Sequence, residues 1–107
     1  MKRFATAAAI RTAGGRARAG REHARAFRAL ASVTRLEIVF LLARAGGEVA
    51  AGEIQRALGV PAPTLSHHLG ALQRAALVVR RRQGTFVFYA VDRATVSAMV
   101  RLLTACC

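Results

Sequence analysis

AGEIQRALGVPAPTLSHHLGALQRAALVVRRRQGTFVFY, residues 51–89, is the stretch whose reading decides the fold. Ile54 and Leu58 stand four apart, so Ala51 to Leu58 is expected as a short amphipathic helix. Gly59-Val60-Pro61 follows as a tight turn. A longer helix is then expected from Pro61 or Ala62 to about Ala75, since proline is tolerated in a first turn whose N–H has no intrahelical partner. Leu65, Leu69, Leu72 and Ala76 recur at i, i+4, i+7 and i+11 and mark its core stripe. Leu77 to Arg82 and Thr85 to Val91 read as two strands, with Gln83-Gly84 supplying the glycine of a tight hairpin. Helix, turn, helix and basic hairpin in that order describe a helix-turn-helix with a wing, a shape that sets one helix into the DNA major groove.

The flanks fit the same plan. Glu22 to Ala31 is expected as a first helix with Phe27, Leu30 and Ala31 on one side. Ser32 and Thr34 are cap-type residues, and Thr34 and Glu37 have capping-box spacing before a second helix, Arg35 to Ala45. That helix is apolar nearly all round, so it is expected to be the central buried one, ending at Gly46-Gly47. Asp92 is an N-cap for a last helix, Arg93 to about Thr104, with Val96, Met99, Val100 and Leu103 at helical spacing. The expected fold class is mostly α with a β-hairpin wing, in the order ααααββα.

The chain has 107 residues, enough for one domain, and 54% of them are hydrophobic. Seventeen basic residues against five acidic ones give a net charge of +12. Such an excess favours a polyanionic partner, nucleic acid first and an anionic membrane second. No apolar run approaches the roughly 20 residues that span a bilayer. Residues 1–21 hold Lys2, Arg3, Arg11, Arg16, Arg18 and Arg21 and no acid. They resemble an organellar transit peptide, a flexible basic arm that brushes phosphates, or a start codon placed too early. The arm or the early start is favoured, which leaves residues 22–107 as the DNA-binding and dimerisation domain of a cytoplasmic protein. An enzyme is disfavoured, because the chain offers no carboxylate pair and no phosphate loop.

The outward face of the fourth helix is small and polar. Pro63, Thr64, Ser66 and His67 are expected to face DNA, Thr64 and Ser66 meeting bases or phosphates, and Arg74 suits a phosphate. His68 lies at the edge of the leucine stripe, where a structural hydrogen bond is expected. Adjacent histidines diverge by about 100° on a helix and chelate one metal poorly. In the wing, alternation sends Arg81 to the face opposite Arg80 and Arg82. Not all three can reach DNA; Arg82 and one neighbour, Arg80, are the expected contacts. A solvated face is the plain alternative for each patch.

Cys106 and Cys107 are the two cysteines. Consecutive Cα atoms lie about 3.8 Å apart, below the roughly 4.4–6.8 Å usual for a disulfide. A reducing compartment fits better. Vicinal thiols bind soft centres such as trivalent arsenic and antimony. Inorganic As(III) wants three thiolates, whereas an organoarsenical already carries a carbon and needs two. A frayed tail with idle thiols and a redox or persulfide switch are the alternatives.

From Phe27 to Cys107 the chain resembles the ArsR/SmtB-type bacterial repressors, which are winged-helix metalloregulators. FRALASVTRLEIVFLL at 27–42, AGEIQRALGVPAPTLSHHLGAL at 51–72 and GTFVFYAVD at 84–92 carry the resemblance. It implies a homodimer built on the first and last helices, a palindromic operator, and an inducer that weakens DNA binding. The family's third-helix sensor needs thiols, which residues 49–53 lack. Its last-helix zinc site needs histidine, which residues 93–104 lack. What remains resembles an arsenic-sensing subgroup with a Cys-Cys pair just after the last helix, so the metalloid ligands implied are Cys106 and Cys107. No intrinsic cofactor is expected; the inducer would be As(III), Sb(III) or a trivalent organoarsenical. Gly70 stands where the family often has lysine. The alternatives are a thiol-redox or persulfide-responsive repressor and a ligand-indifferent architectural DNA-binding protein.

Overall fold

The computed structural model describes residues 23–105. Residues 23–29 are helical (α1). They are followed by α2 (Val33–Ala45), β1 (Val49–Ala50), α3 (Ala51–Leu58), α4 (Ala62–Arg74), β2 (Val78–Gln83), β3 (Phe86–Val91) and α5 (Arg93–Thr104). The expected helices and hairpin are all present. The basic arm assigned to residues 1–21, and Cys106 and Cys107, lie outside the described residues.

Of the two cap-type residues before α2, Ser32 and not Thr34 is the one that starts it. Ser32, with an extended backbone, caps it, its hydroxyl accepting from the Arg35 N–H at 3.4 Å. Thr34 is therefore inside the helix and forms no capping box with Glu37. Nor is α2 buried all round. Ile38 and Leu42 are fully buried, while Val33, Leu36 and Phe40 are 76%, 51% and 64% exposed. A helix can bury only the face its neighbours reach, and the contacts this one makes with α3, α4 and β3 leave Val33, Leu36 and Phe40 uncovered.

The sheet has an extra member. Val49 and Ala50 pair antiparallel with Tyr89 and Phe88, giving the strand order β1-β3-β2. Two residues are too short to show alternation, so β1 has no sequence signature. In the wing, β2 and β3 pair from Val78↔Val91 to Gln83↔Phe86. The two-residue turn is Gly84-Thr85, one residue later than expected, with Gly84 at φ +62°. A positive φ at the first central position is what a type II′ turn needs, and glycine supplies it.

The end of α4 also departs from the periodic reading. Ala76 is exposed and left-handed, at φ +62°. Its N–H donates to the Gln73 carbonyl at 3.0 Å, and the Leu77 N–H donates to the Leu72 carbonyl at 3.0 Å. This is a Schellman motif, normally closed by glycine at the left-handed position. The core stripe thus ends at Leu72 and Ala75, and Leu77 follows from beyond the reversal. Leu72 and Leu77 are both fully buried, supplying the apolar side of the motif.

Ile38, Leu42, Ile54, Leu65, Leu69, Leu72, Leu77 and Val78 form the centre of the core. Burying each such side chain contributes roughly 1.5–3 kcal/mol. Among the described residues, no helix is long and apolar enough to cross a membrane.

Candidate nucleic-acid interface

The turn between α3 and α4 is built from three local devices. Gly59 adopts φ +66° and its N–H donates to the Gln55 carbonyl at 2.8 Å, ending α3. Val60 packs against the core. Pro61 is extended, and its carbonyl accepts from the Leu65 N–H at 2.9 Å, so α4 begins at Ala62 without a side-chain cap. Leu65, Leu69 and Leu72 are buried, which turns Pro63, Thr64, Ser66 and His67 to solvent. Two hydroxyls and an imidazole on one exposed face can reach base edges or phosphates.

Arg74 folds back along the helix. Its Nη1 lies 3.2 Å from the point a Cβ on Gly70 would occupy. A mid-helix glycine costs roughly 0.5–1 kcal/mol relative to alanine, and here it makes room for a guanidinium. A cation therefore does stand over position 70, supplied from one turn further on.

His68 is held from beneath. Arg35 Nε on α2 donates to its Nδ1 at 3.1 Å. Burial, and behind it the charges of Arg35 and His67, keep the His68 imidazole below its ordinary pKa. It makes the structural hydrogen bond that its place at the stripe edge implied, and the lowered pKa favours the unprotonated Nδ1 that this bond needs, while His67 is exposed. The two rings are edge to face with centroids 5.7 Å apart. No group of three His, Cys, Asp or Glu residues that could hold a metal occurs among the described residues.

The three wing arginines take different roles. Arg81 pairs with Glu48 through Nε–Oε2 at 2.6 Å and Nη2–Oε1 at 2.9 Å, and its guanidinium lies 4.8 Å from the Phe88 ring centroid. The hydrogen bonds from Arg81 hold the Glu48 carboxyl below its ordinary pKa, and Glu48 raises that of Arg81. Arg80, paired across the hairpin with Tyr89, is on the opposite face. Arg80 and Ser66 line one cleft of about 250 Å³ between α3, α4 and the wing. Arg82 is exposed, with Nε donating to the Gly84 carbonyl at 3.2 Å. The structure thus brings Ser66 and Arg80 together, sets Arg82 near the wing tip and engages Arg81, on the other face, with Glu48. Glu48 and Arg35, which fasten the wing and α4, were not legible beforehand. Each acts on a partner 33 residues away, and no local spacing signals that.

Comparison with known proteins agrees with this geometry. Residues 30–81 match the model of a helix-turn-helix domain family. A homodimeric winged helix-turn-helix DNA-binding domain from Mycobacterium bovis, Mb0332, described as a possible ArsR-family transcriptional regulator, superposes with a TM-score of 0.66 at 35% identity. The match covers 81% of this chain and 83% of that one. This chain belongs to the ArsR family. It is 39% identical over 74 residues to the transcriptional regulator KmtR of Mycobacterium tuberculosis, covering 69% of this chain and 55% of KmtR. It is 38% identical over 63 residues to the arsenic resistance regulator ArsR1 of Pseudomonas putida, covering 59% of this chain and 48% of ArsR1. The chain therefore spans about half the length of these two relatives. The relatives it matches are transcriptional regulators, and the matched region is their helix-turn-helix DNA-binding part. In the family's terms α4 is the recognition helix and the β2–β3 hairpin the wing.

Proposed function

We propose that this ArsR-family repressor acts in the cytoplasm as a homodimer and leaves its operator when trivalent arsenic or antimony binds Cys106 and Cys107. The observation that carries the reading is the position of the two thiols. They follow directly after α5, which ends at Thr104. Side chains at i and i+1 point apart inside a helix, so a pair just past a helix end is better placed to close one chelate ring.

The dimer reading is supported by α5 and α2. Val100 and Leu103 on α5 are 53% and 63% exposed, and Val33, Leu36 and Phe40 add to the uncovered apolar surface. A second copy would bury it, and the M. bovis relative is homodimeric. A metalloid at the end of α5 would then act at the subunit junction. It would shift the population off DNA by its differential affinity for the two states. The ArsR1 relative supports a metalloid inducer. With two thiolates, an organoarsenical is a fuller fit than inorganic arsenite. Pro63, Thr64, Ser66, His67, Arg74, Arg80 and Arg82 would supply the DNA contacts.

An operator shift assay with arsenite, a phenyl-arsenical, zinc and peroxide in parallel tests the reading. Arsenite or the phenyl-arsenical should release DNA, and Cys106→Ser should abolish that release. Release by peroxide alone would replace the metalloid with a thiol-redox switch. Indifference to all four would leave an architectural DNA-binding protein.

A further inference from the structure

We infer that a cleft of about 210 Å³ at the junction of α1, α2 and α4 is an anion site that takes a phosphate group. Four arginines from three helices line it: Arg25 and Arg28 from α1, Arg35 from the start of α2 and Arg74 from the end of α4. Ala29 and Ala75 form part of its wall and are buried. Their small side chains leave the space open. A water takes about 30 Å³ of liquid, so the cleft has room for one or two phosphoryl groups.

Charge selects the ligand class. Among the described residues no carboxylate lines the cleft, and the ion pair they form is that of Glu48 with Arg81, in the sheet. Four cations gathered around one cleft repel one another, and an anion seated between them relieves that. Guanidinium forks match phosphate oxygens two at a time. A phosphate presents more oxygens than a carboxylate and can engage more than one fork.

Two of the four are already held. Arg35 spends its Nε on His68 Nδ1 and keeps both terminal nitrogens for a ligand. Arg74 lies against the helix over Gly70. Side chains that are placed before binding lose less freedom when the ligand arrives. The same two residues sit against or on the recognition helix. An anion in the cleft therefore ties α4 to α1 and α2, so its binding is linked to how α4 is set for DNA. The phosphate could come from the DNA backbone or from a free phosphorylated compound. The site is independent of the thiol reading.

The test uses inorganic pyrophosphate as the probe on the full chain. Titration calorimetry and thermal shift are run at fixed ionic strength, with sulfate as the comparison anion. The expected result is saturable binding of pyrophosphate, stronger than sulfate. Arg28→Ala and, as a second variant, Arg25→Gln should each weaken it at least tenfold, while Arg101→Ala on the exposed side of α5 should not. Binding that does not saturate, that equals sulfate, or that survives both cleft variants overturns the site. Adding a short random-sequence duplex separates the two sources. Loss of pyrophosphate binding, with a DNA salt slope reduced by about one in Arg28→Ala, assigns the cleft to a backbone phosphate. Pyrophosphate that still binds the DNA complex assigns it to a free phosphorylated compound.

Discussion

Arg35 on α2 donates from Nε to Nδ1 of His68 on α4, 3.1 Å away. This bond fastens the recognition helix to the body of the domain, and it needs an unprotonated Nδ1. The folded pKa of His68 is below the ordinary 6.5. The unfolded chain therefore takes up the proton first on acidification. The stabilisation is complete above the unfolded pKa and is lost as pH falls through the folded one. Melting temperature followed from pH 8 to pH 5, limits on the order of the range in which histidine titrates, should fall more steeply for the natural chain than for His68→Gln. Parallel curves would show that the bond does not set the pH response.

Ala76 offers a test of local strain. A left-handed residue with a Cβ costs roughly 1–2 kcal/mol, and glycine removes that cost while adding about 0.5–1 kcal/mol of unfolded-state entropy. Ala76→Gly should therefore raise stability by about 0.5–1 kcal/mol, read from the midpoint of a urea unfolding curve. Its N–H and that of Leu77 keep their partners in the variant. A fall in the midpoint would mean that Ala76 does not hold the left-handed conformation in solution.

The wing separates two neighbouring arginines. Arg82→Ala should weaken binding to many DNA sequences about equally and lower the salt slope by about one, as expected for one lost phosphate contact. Arg81 spends its guanidinium on Glu48, so Arg81→Ala should leave the salt slope unchanged. Binding isotherms at several salt concentrations measure both. A slope that drops equally in the two variants would put Arg81 on DNA.

Ser66 shares a cleft with Arg80 and stands on the exposed face of α4. Ser66→Ala should cost the specific operator more than random DNA, by about 1–3 kcal/mol if the hydroxyl reads a base edge. Competition binding with both DNAs decides it. Equal losses would reassign Ser66 to a phosphate.

Core truncation gives a last expectation. Leu72 is fully buried and also closes the α4 C-terminus through its carbonyl. Leu72→Ala should destabilise by about 2–5 kcal/mol, measured by urea unfolding. A loss below about 1 kcal/mol would contradict its place at the centre of the core.

Much of this protein was determined by local pattern. The leucine spacing at 65, 69 and 72 set the buried side of α4, and through it the exposure of Thr64, Ser66 and His67. Pro61 and Gly59 marked the turn, Asp92 the start of α5, and strand alternation the divergence of Arg81 from its neighbours. These follow from periods of 3.6 and 2 and from backbone preferences, which act over a few residues. Tertiary structure alone decided the rest. Glu48 captures Arg81, Arg35 captures His68, Val49-Ala50 becomes a strand because β3 is there to pair with it, and three helices gather four arginines around one cleft. Ala76 bends into a left-handed turn because Leu77 must come back to the core beside Leu72. Each of these depends on groups that meet only after the chain has folded, and their energies are set by burial and by partners far away in sequence.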